Sequence, residues 1–219
     1  HALGADLHLW DELAAALGEH HEVLRYDHRG HGGSAVPAGP YTQDDLVDDA
    51  ARLIREWGRG PVVFIGLSMG GMVAQGLAVR HPELLRGLVV ANSSARYPAE
   101  ARAMWDQRIA AIEQGGLATI AEGTLERWFT PGFRAAQPAV VERTRQTLLR
   151  TPAAGYIACG RAVQSVDWLD RLAAVRAPTL VIAGAQDAGA PPEMSEAMAA
   201  RIAGAQLTVL DSAHISVAE

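Results

Sequence analysis

Short apolar runs alternate along most of the chain with stretches whose apolar residues recur every three or four positions. The runs Val23-Leu24-Arg25-Tyr26, Val62 to Ile65, Gly87 to Val90, Thr179 to Ile182 and Leu207 to Leu210 have strand length, and turn-forming residues follow each. Between them, Leu7 to Leu17, Asp44 to Trp57, Met69 to Arg80 and Glu193 to Ile202 carry the helical spacing. Strands alternating with helices predict an α/β fold, a mostly parallel sheet with helices on both faces. Ligand sites of such sheets lie beyond the carboxyl ends of the strands. Ser68, Asn92, Asp187 and His214 all fall just past those ends, so they can converge although far apart in sequence.

The pattern changes between Ala95 and Ala174. Strand-like runs vanish, and short helical stretches are broken by Gly115-Gly116, Thr130-Pro131-Gly132, Pro138 and Thr151-Pro152. This predicts a helical cap inserted into the core, dividing the chain into core 1–94, cap 95–174 and core 175–219. A cap in that position excludes water and shapes a pocket. Its aromatic residues Trp105, Trp128, Phe129, Phe133, Tyr156 and Trp168 are expected mostly inside the cap, with a minority lining the pocket.

The 219 residues suit one domain with a sizeable core. A net charge of −6 without long blocks of one sign points away from nucleic acid and anionic membrane as partners. No run approaches the roughly 20 apolar residues of a membrane helix, and no signal leader precedes the first motif, which leads to the expectation of a soluble, cytoplasmic protein. Cys159, the single cysteine, excludes an internal disulfide and reads as a small buried thiol. Lysine is absent, which removes Schiff-base chemistry and lysine-dependent phosphate loops. No cofactor or metal is implied, since His28 and His31 lack zinc-site spacing and have no third ligand nearby.

Gly66-Leu67-Ser68-Met69-Gly70 joins the run Val62 to Ile65 to the helical stretch that follows. A serine on such a sharp strand-to-helix turn needs small residues two positions before and after, and projects its hydroxyl above the sheet. This is a nucleophile elbow. Met69, at the helix start, offers an uncommitted N–H to a developing oxyanion. Among eight histidines, His214 alone follows the last strand, where a base for Ser68 is required. His20, His21 and His81 read as helix-end residues. Asp187, after the strand Thr179 to Ile182, is the chosen acid. Asp211 is the rival, but a residue three positions from the histidine rarely gets behind its ring, so it is expected to cap a turn. Asn92 takes the other strand-end position without a carboxylate. The loop His1-Ala2-Leu3-Gly4 supplies a second oxyanion donor, assigned to Leu3 N–H.

The serine, acid, histidine order and the cap resemble the α/β-hydrolase superfamily over essentially the whole chain. Asp27-His28-Arg29-Gly30-His31-Gly32-Gly33-Ser34 looks like that superfamily's D-x-R-G-x-G-x-S loop, read here as structural. A narrower resemblance is to the 3-oxoadipate enol-lactonase family. It is carried by Leu3 to Asp11, Leu24 to Asp27, Gly66 to Met72, Leu125-Glu126-Arg127-Trp128-Phe129-Thr130-Pro131 and Thr151-Pro152-Ala153-Ala154-Gly155-Tyr156. The last two stretches lie in the cap, where superfamily members differ most.

That resemblance implies hydrolysis of an anionic enol-lactone to 3-oxoadipate in bacterial aromatic catabolism. Ser68 would be the nucleophile, His214 the base and Asp187 its partner. Trp128 and a cap arginine, Arg134 or alternatively Arg127, would bind the substrate. His1 departs from the family pattern toward general esterases and haloperoxidase-like relatives, so a broad carboxylesterase or perhydrolase is the alternative, and a small-molecule receptor on the same fold a further one. The family pattern also places three strands before His1 and a helix after Glu219. It implies that Val23 to Tyr26 needs an intervening strand to reach Val62 to Ile65, and hence that the chain belongs to a longer polypeptide, with fusion to a decarboxylase as one form.

Overall fold

The structure is a computed structural model describing residues 1–219. In chain order its elements are α1 (Asp11–Gly18), α2 (Gln43–Trp57), β1 (Val62–Leu67), α3 (Met69–Arg80), β2 (Leu85–Ala91), α4 (Ala99–Gly115), α5 (Ala121–Trp128), α6 (Pro131–Ala136), α7 (Pro138–Arg150), α8 (Ala153–Gln164), β3 (Thr179–Gly184), α9 (Pro192–Ala199) and β4 (Gln206–Leu210). Four strands form one parallel sheet in the order β1-β2-β3-β4. Leu67 pairs with Ala91, Ala91 with Ile182 and Gly184 with Leu210, so the carboxyl ends of all four strands finish at one edge.

Local sequence explains the main helices. Thr42 and Asp45 form a reciprocal capping box at the start of α2, and Gly58 closes it in the left-handed conformation at φ 69°. Its apolar residues Leu46, Val47, Ala50, Ala51 and Ile54 recur at helical spacing and are all buried. Met69 to Ala78 of α3 are buried without exception, because this helix lies between β1, β2 and α2. The stretch Leu7 to Leu17 is less regular than its periodicity predicts: Leu7–Trp10 is a 3₁₀ turn and only then does α1 begin.

Val23 to Tyr26 corrects the sequence reading, because this segment forms no strand. A strand exists only through a partner's hydrogen bonds, and β1 is the sheet's edge with no neighbour on that side. An apolar groove of about 520 Å³ runs between the two, lined by Trp10, Leu24, Tyr26, Val62 and Phe64 among others. Val63, Leu207, Val209 and Leu210 are exposed on the sheet.

Helices α4 to α8 occupy the chain between β2 and β3. The excursion leaves and returns side by side: Arg96 and Asp167 form an antiparallel bridge, and the Arg96 guanidinium pairs with Asp167 and Asp170. A second apolar cluster fastens α5 onto the strand ends, with Leu125, Trp128 and Phe129 against Ala2, Leu67 and Ile215. No helix is long and apolar enough to cross a membrane.

Candidate active site

Ser68 stands between β1 and α3 with φ 56° and ψ −116°, a conformation costing about 1–3 kcal/mol for a residue with a side chain. The surroundings enforce it. A Cβ at position 66 would sit 2.1 Å from the Gly70 carbonyl oxygen, which leaves no room for a side chain, and one at position 70 would crowd His1 N at 3.0 Å. Gly70 N–H donates to the His1 carbonyl at 3.1 Å, which fastens the start of α3 to the first loop. Ser93 Oγ donates to the Ser68 carbonyl at 2.8 Å and steadies the turn from the neighbouring strand end.

His214 Nε2 lies 2.9 Å from Ser68 Oγ, and His214 Nδ1 lies 2.7 Å from Asp187 Oδ2. The three side chains come from three strand ends and form one continuous hydrogen-bonded chain. Asp187 is buried and its other oxygen accepts N–H bonds from Gly189 at 2.8 Å and Ala190 at 2.9 Å. Burial alone would raise its pKa. The charge and hydrogen bond of His214, the Ala190 N–H and the Asn92 amide outweigh burial and hold the carboxyl below its ordinary value. It therefore stands ready as a carboxylate to orient an imidazole and balance an imidazolium.

Asp211 lies elsewhere, accepting from Gln186 Nε2 at 2.9 Å. Leu3 and Met69 both keep their N–H free of backbone and side-chain acceptors, as an oxyanion pocket requires. The loop carrying Leu3 is buried and anchored by the glycine-rich segment. Gly4 N–H donates to His31 Nε2 at 2.9 Å, His28 N–H to His1 Nε2 at 3.0 Å, and Leu7 N–H to Asp27 Oδ1 at 2.7 Å. Asp27 Oδ2 also accepts from Gly33 N–H, so this segment braces the loop from below. Cys159 is buried against the Arg29 carbonyl, and burial pushes its thiol up to about 12, which leaves it inert at neutral pH.

Trp128 is buried where cap and core meet, and its carbonyl accepts from Ile215 N–H at 3.0 Å, next to His214. Arg134 is half-buried, and its Nε has no partner. Arg127 is held below its ordinary pKa by burial and by the neighbouring Arg108. Arg108 itself was not singled out by the sequence. Its Nε and Nη2 donate to Tyr156 Oη at 2.9 and 2.8 Å, Nη2 donates to Thr124 Oγ1 at 2.7 Å, and the guanidinium stacks on the Trp105 and Tyr156 rings. The ion pairs within the cap helices join Arg145 to Glu122 and Glu142, and Arg161 to Asp106, and Arg108, Arg127 and Arg134 are among the cap arginines without a carboxylate partner. An arginine's pattern gives no sign of this, since it depends on which acids the folded cap brings near.

Comparison with known proteins agrees with this architecture. A family model described as the alpha/beta hydrolase fold matches residues 1–219. The chain is 37% identical over 218 residues to 3-oxoadipate enol-lactonase 2 of Acinetobacter baylyi, covering 100% of this chain and 81% of that protein. The crystal structure of the enol-lactonase from Burkholderia xenovorans LB400 superposes with a TM-score of 0.95 at 35% identity, covering 98% of this chain and 82% of that one. A thermophilic esterase from Thermogutta terrifontis, solved with malate bound, gives a TM-score of 0.90 at 33% identity, over 96% of this chain and 79% of that one.

Proposed function

From the premise that this chain belongs to the α/β-hydrolase family, we propose that it hydrolyses 3-oxoadipate enol-lactone to 3-oxoadipate through a serine acyl-enzyme. The unbroken chain from Ser68 Oγ through His214 to Asp187 is the observation that carries the chemistry. Similarity to enol-lactonases along essentially all of this chain supports the substrate.

Ser68 Oγ attacks the lactone carbonyl while His214 Nε2 takes its proton, and Asp187 steadies the imidazolium. The oxyanion faces the N–H groups of Leu3 and Met69. When the ring C–O bond breaks, the enol oxygen leaves and receives the proton from His214. The tethered enol becomes a ketone, and water deprotonated by His214 releases the acid and restores Ser68. The enol is a good leaving group, so one histidine suffices as both acid and base. Arg134 and Arg108, cations without acidic partners, are assigned to the substrate carboxylate, and Trp128 to the apolar wall beside it.

The test follows loss of enol-lactone ultraviolet absorbance beside cleavage of a simple nitrophenyl ester. Fast lactone loss that disappears in Ser68→Ala supports the assignment. In Arg108→Met or Arg134→Met, KM for the lactone should rise about tenfold while the neutral ester is unaffected. Serine-dependent ester cleavage without lactone turnover would move the protein to the general carboxylesterases, a reading favoured by its similarity to the thermophilic esterase.

A further inference from the structure

Asn92 follows directly on β2, is fully buried, and holds a left-handed backbone at φ 47°. All three polar arms of its side chain are used. Nδ2 donates to Asp187 Oδ2 at 3.1 Å and to the Ala213 carbonyl at 3.0 Å, and Oδ1 accepts from Ser216 Oγ. The Ala213 carbonyl only accepts, which fixes the amide's orientation without ambiguity. One amide group therefore grips the acid and both flanks of His214.

Asp187 is saturated as a result. Oδ1 takes two backbone N–H groups, and Oδ2 takes His214 Nδ1 and Asn92 Nδ2, so four donors converge on one carboxylate. The titratable groups facing this cluster are Asp187, His214 and Tyr97, whose hydroxyl is buried near Asp187. A carboxylate at position 92 would point an acceptor at two other acceptors, Asp187 Oδ2 and the Ala213 oxygen. An amide there reverses the polarity of the contact.

We propose that Asn92 is the positioning residue of the Ser68–His214–Asp187 relay: its neutral amide fixes the Asp187 oxygen used by the imidazole and ties the His214 loop to the end of β2. This rests on the hydrolase reading above and adds a residue to it. Asn92 acts through Asp187 and Ala213 and touches no substrate.

Two variants separate positioning from packing. Asn92→Asp keeps the shape and tolerates the left-handed backbone, but adds a second carboxylate beside Asp187. Asn92→Gly removes the amide without backbone strain. Both are compared with the unmodified protein by the pH dependence of Ser68 labelling with a fluorophosphonate and of nitrophenyl acetate hydrolysis, which do not depend on the lactone assignment. In Asn92→Asp the two neighbouring carboxyls share one proton, so residue 92 can donate to Asp187 or to Ala213 but not to both, and both reactions slow about threefold or more at the optimum although the side-chain shape is unchanged. Asn92→Gly slows both reactions about tenfold or more at the optimum, with KM for the ester within about twofold. Rates in Asn92→Asp within about twofold of the unmodified protein would mean that residue 92 only fills space and would overturn the proposal. An unmodified protein that fails to label would instead sink the hydrolase reading and take the proposal with it.

Discussion

His214 and His31 are both buried, and each engages both ring nitrogens, yet the two rings face different chemistry. The His214 ring lies between a carboxylate and a hydroxyl, Asp187 at one nitrogen and Ser68 at the other. Proton gain there is compensated by an adjacent negative charge. The His31 ring accepts from Gly4 N–H at Nε2 and faces the Arg29 carbonyl at 3.3 Å through Nδ1. Those partners fix one neutral tautomer, and a second proton would destroy the acceptor that holds Gly4. Burial lowers the His31 pKa to about 4, against the opposing hydrogen bond to the Arg29 carbonyl. One imidazole is placed between a carboxylate and a hydroxyl, the other is held neutral and braces the loop of Leu3. Residue type alone says nothing of this division, which is set by the partners each fold position supplies.

Replacing the partner of one ring breaks the comparison most severely. In Asp187→Asn the amide donates where the carboxylate accepted, so His214 takes the wrong tautomer and cannot receive the Ser68 proton. A fall in kcat of about 10⁴-fold is expected, with the fold intact. Steady-state kinetics with the nitrophenyl ester measures it, and a fall of less than about tenfold would mean that another acid serves His214.

Acid sharpens the other half. The folded pKa of His31, about 4, lies below the ordinary 6.5, so between these values the unfolded chain binds a proton that the folded protein does not. Stability then rises with pH across this window. On acidification from 6.5 to 4 this group removes about 3 kcal/mol, and His28, also lowered by burial, acts in the same direction. Asp187 is shifted in the same direction, but for a carboxyl a lowered pKa favours the charged form: its contribution is present above the ordinary value of 3.8 and is lost only as pH falls below it, so the two windows are separate. Denaturant titrations of the unmodified protein and His31→Gln at pH 7 and pH 4.5 should show a smaller acid loss in the variant, whose amide oxygen still accepts from Gly4. Equal losses would show that His31 is not the group responsible.

Much of this arrangement was legible because it is local. The boundaries of Met69–Arg80 follow from one run of helical spacing, and the small residues around Ser68 follow from the tightness of one turn. Asp187 and His214 were within reach because a parallel sheet gathers its strand ends on one edge, whatever the sequence separation. Val23 to Tyr26 is the complementary case: its composition suits a strand, but without the intervening strand that the family resemblance calls for it has no hydrogen-bond partner. Asn92 stands at a strand end that the fold offers as a second place for a carboxylate, but its amide contacts reach Asp187 and Ala213 through loop geometry that the sequence does not display. The surroundings of Arg108 were not legible because they come from α5 and α8 as well as from its own α4.

The smallest effect belongs to the residue that sequence proximity favours most as an alternative to Asp187. Asp211 is three positions from His214, but its carboxylate turns toward Gln186 Nε2 at 2.9 Å, and the hydrogen bond is exposed. An exposed neutral-donor contact of this kind contributes about 0.5–1 kcal/mol at most, and it lies off the line from Ser68 to Asp187. Asp211→Asn retains an oxygen to accept from Gln186, so kcat and its pH dependence should stay within about twofold of the unmodified protein. A loss approaching that of Asp187→Asn would show that the two carboxylates share the imidazole. In that case the hydrogen bond of 2.7 Å between His214 and Asp187 would describe only one of two working arrangements.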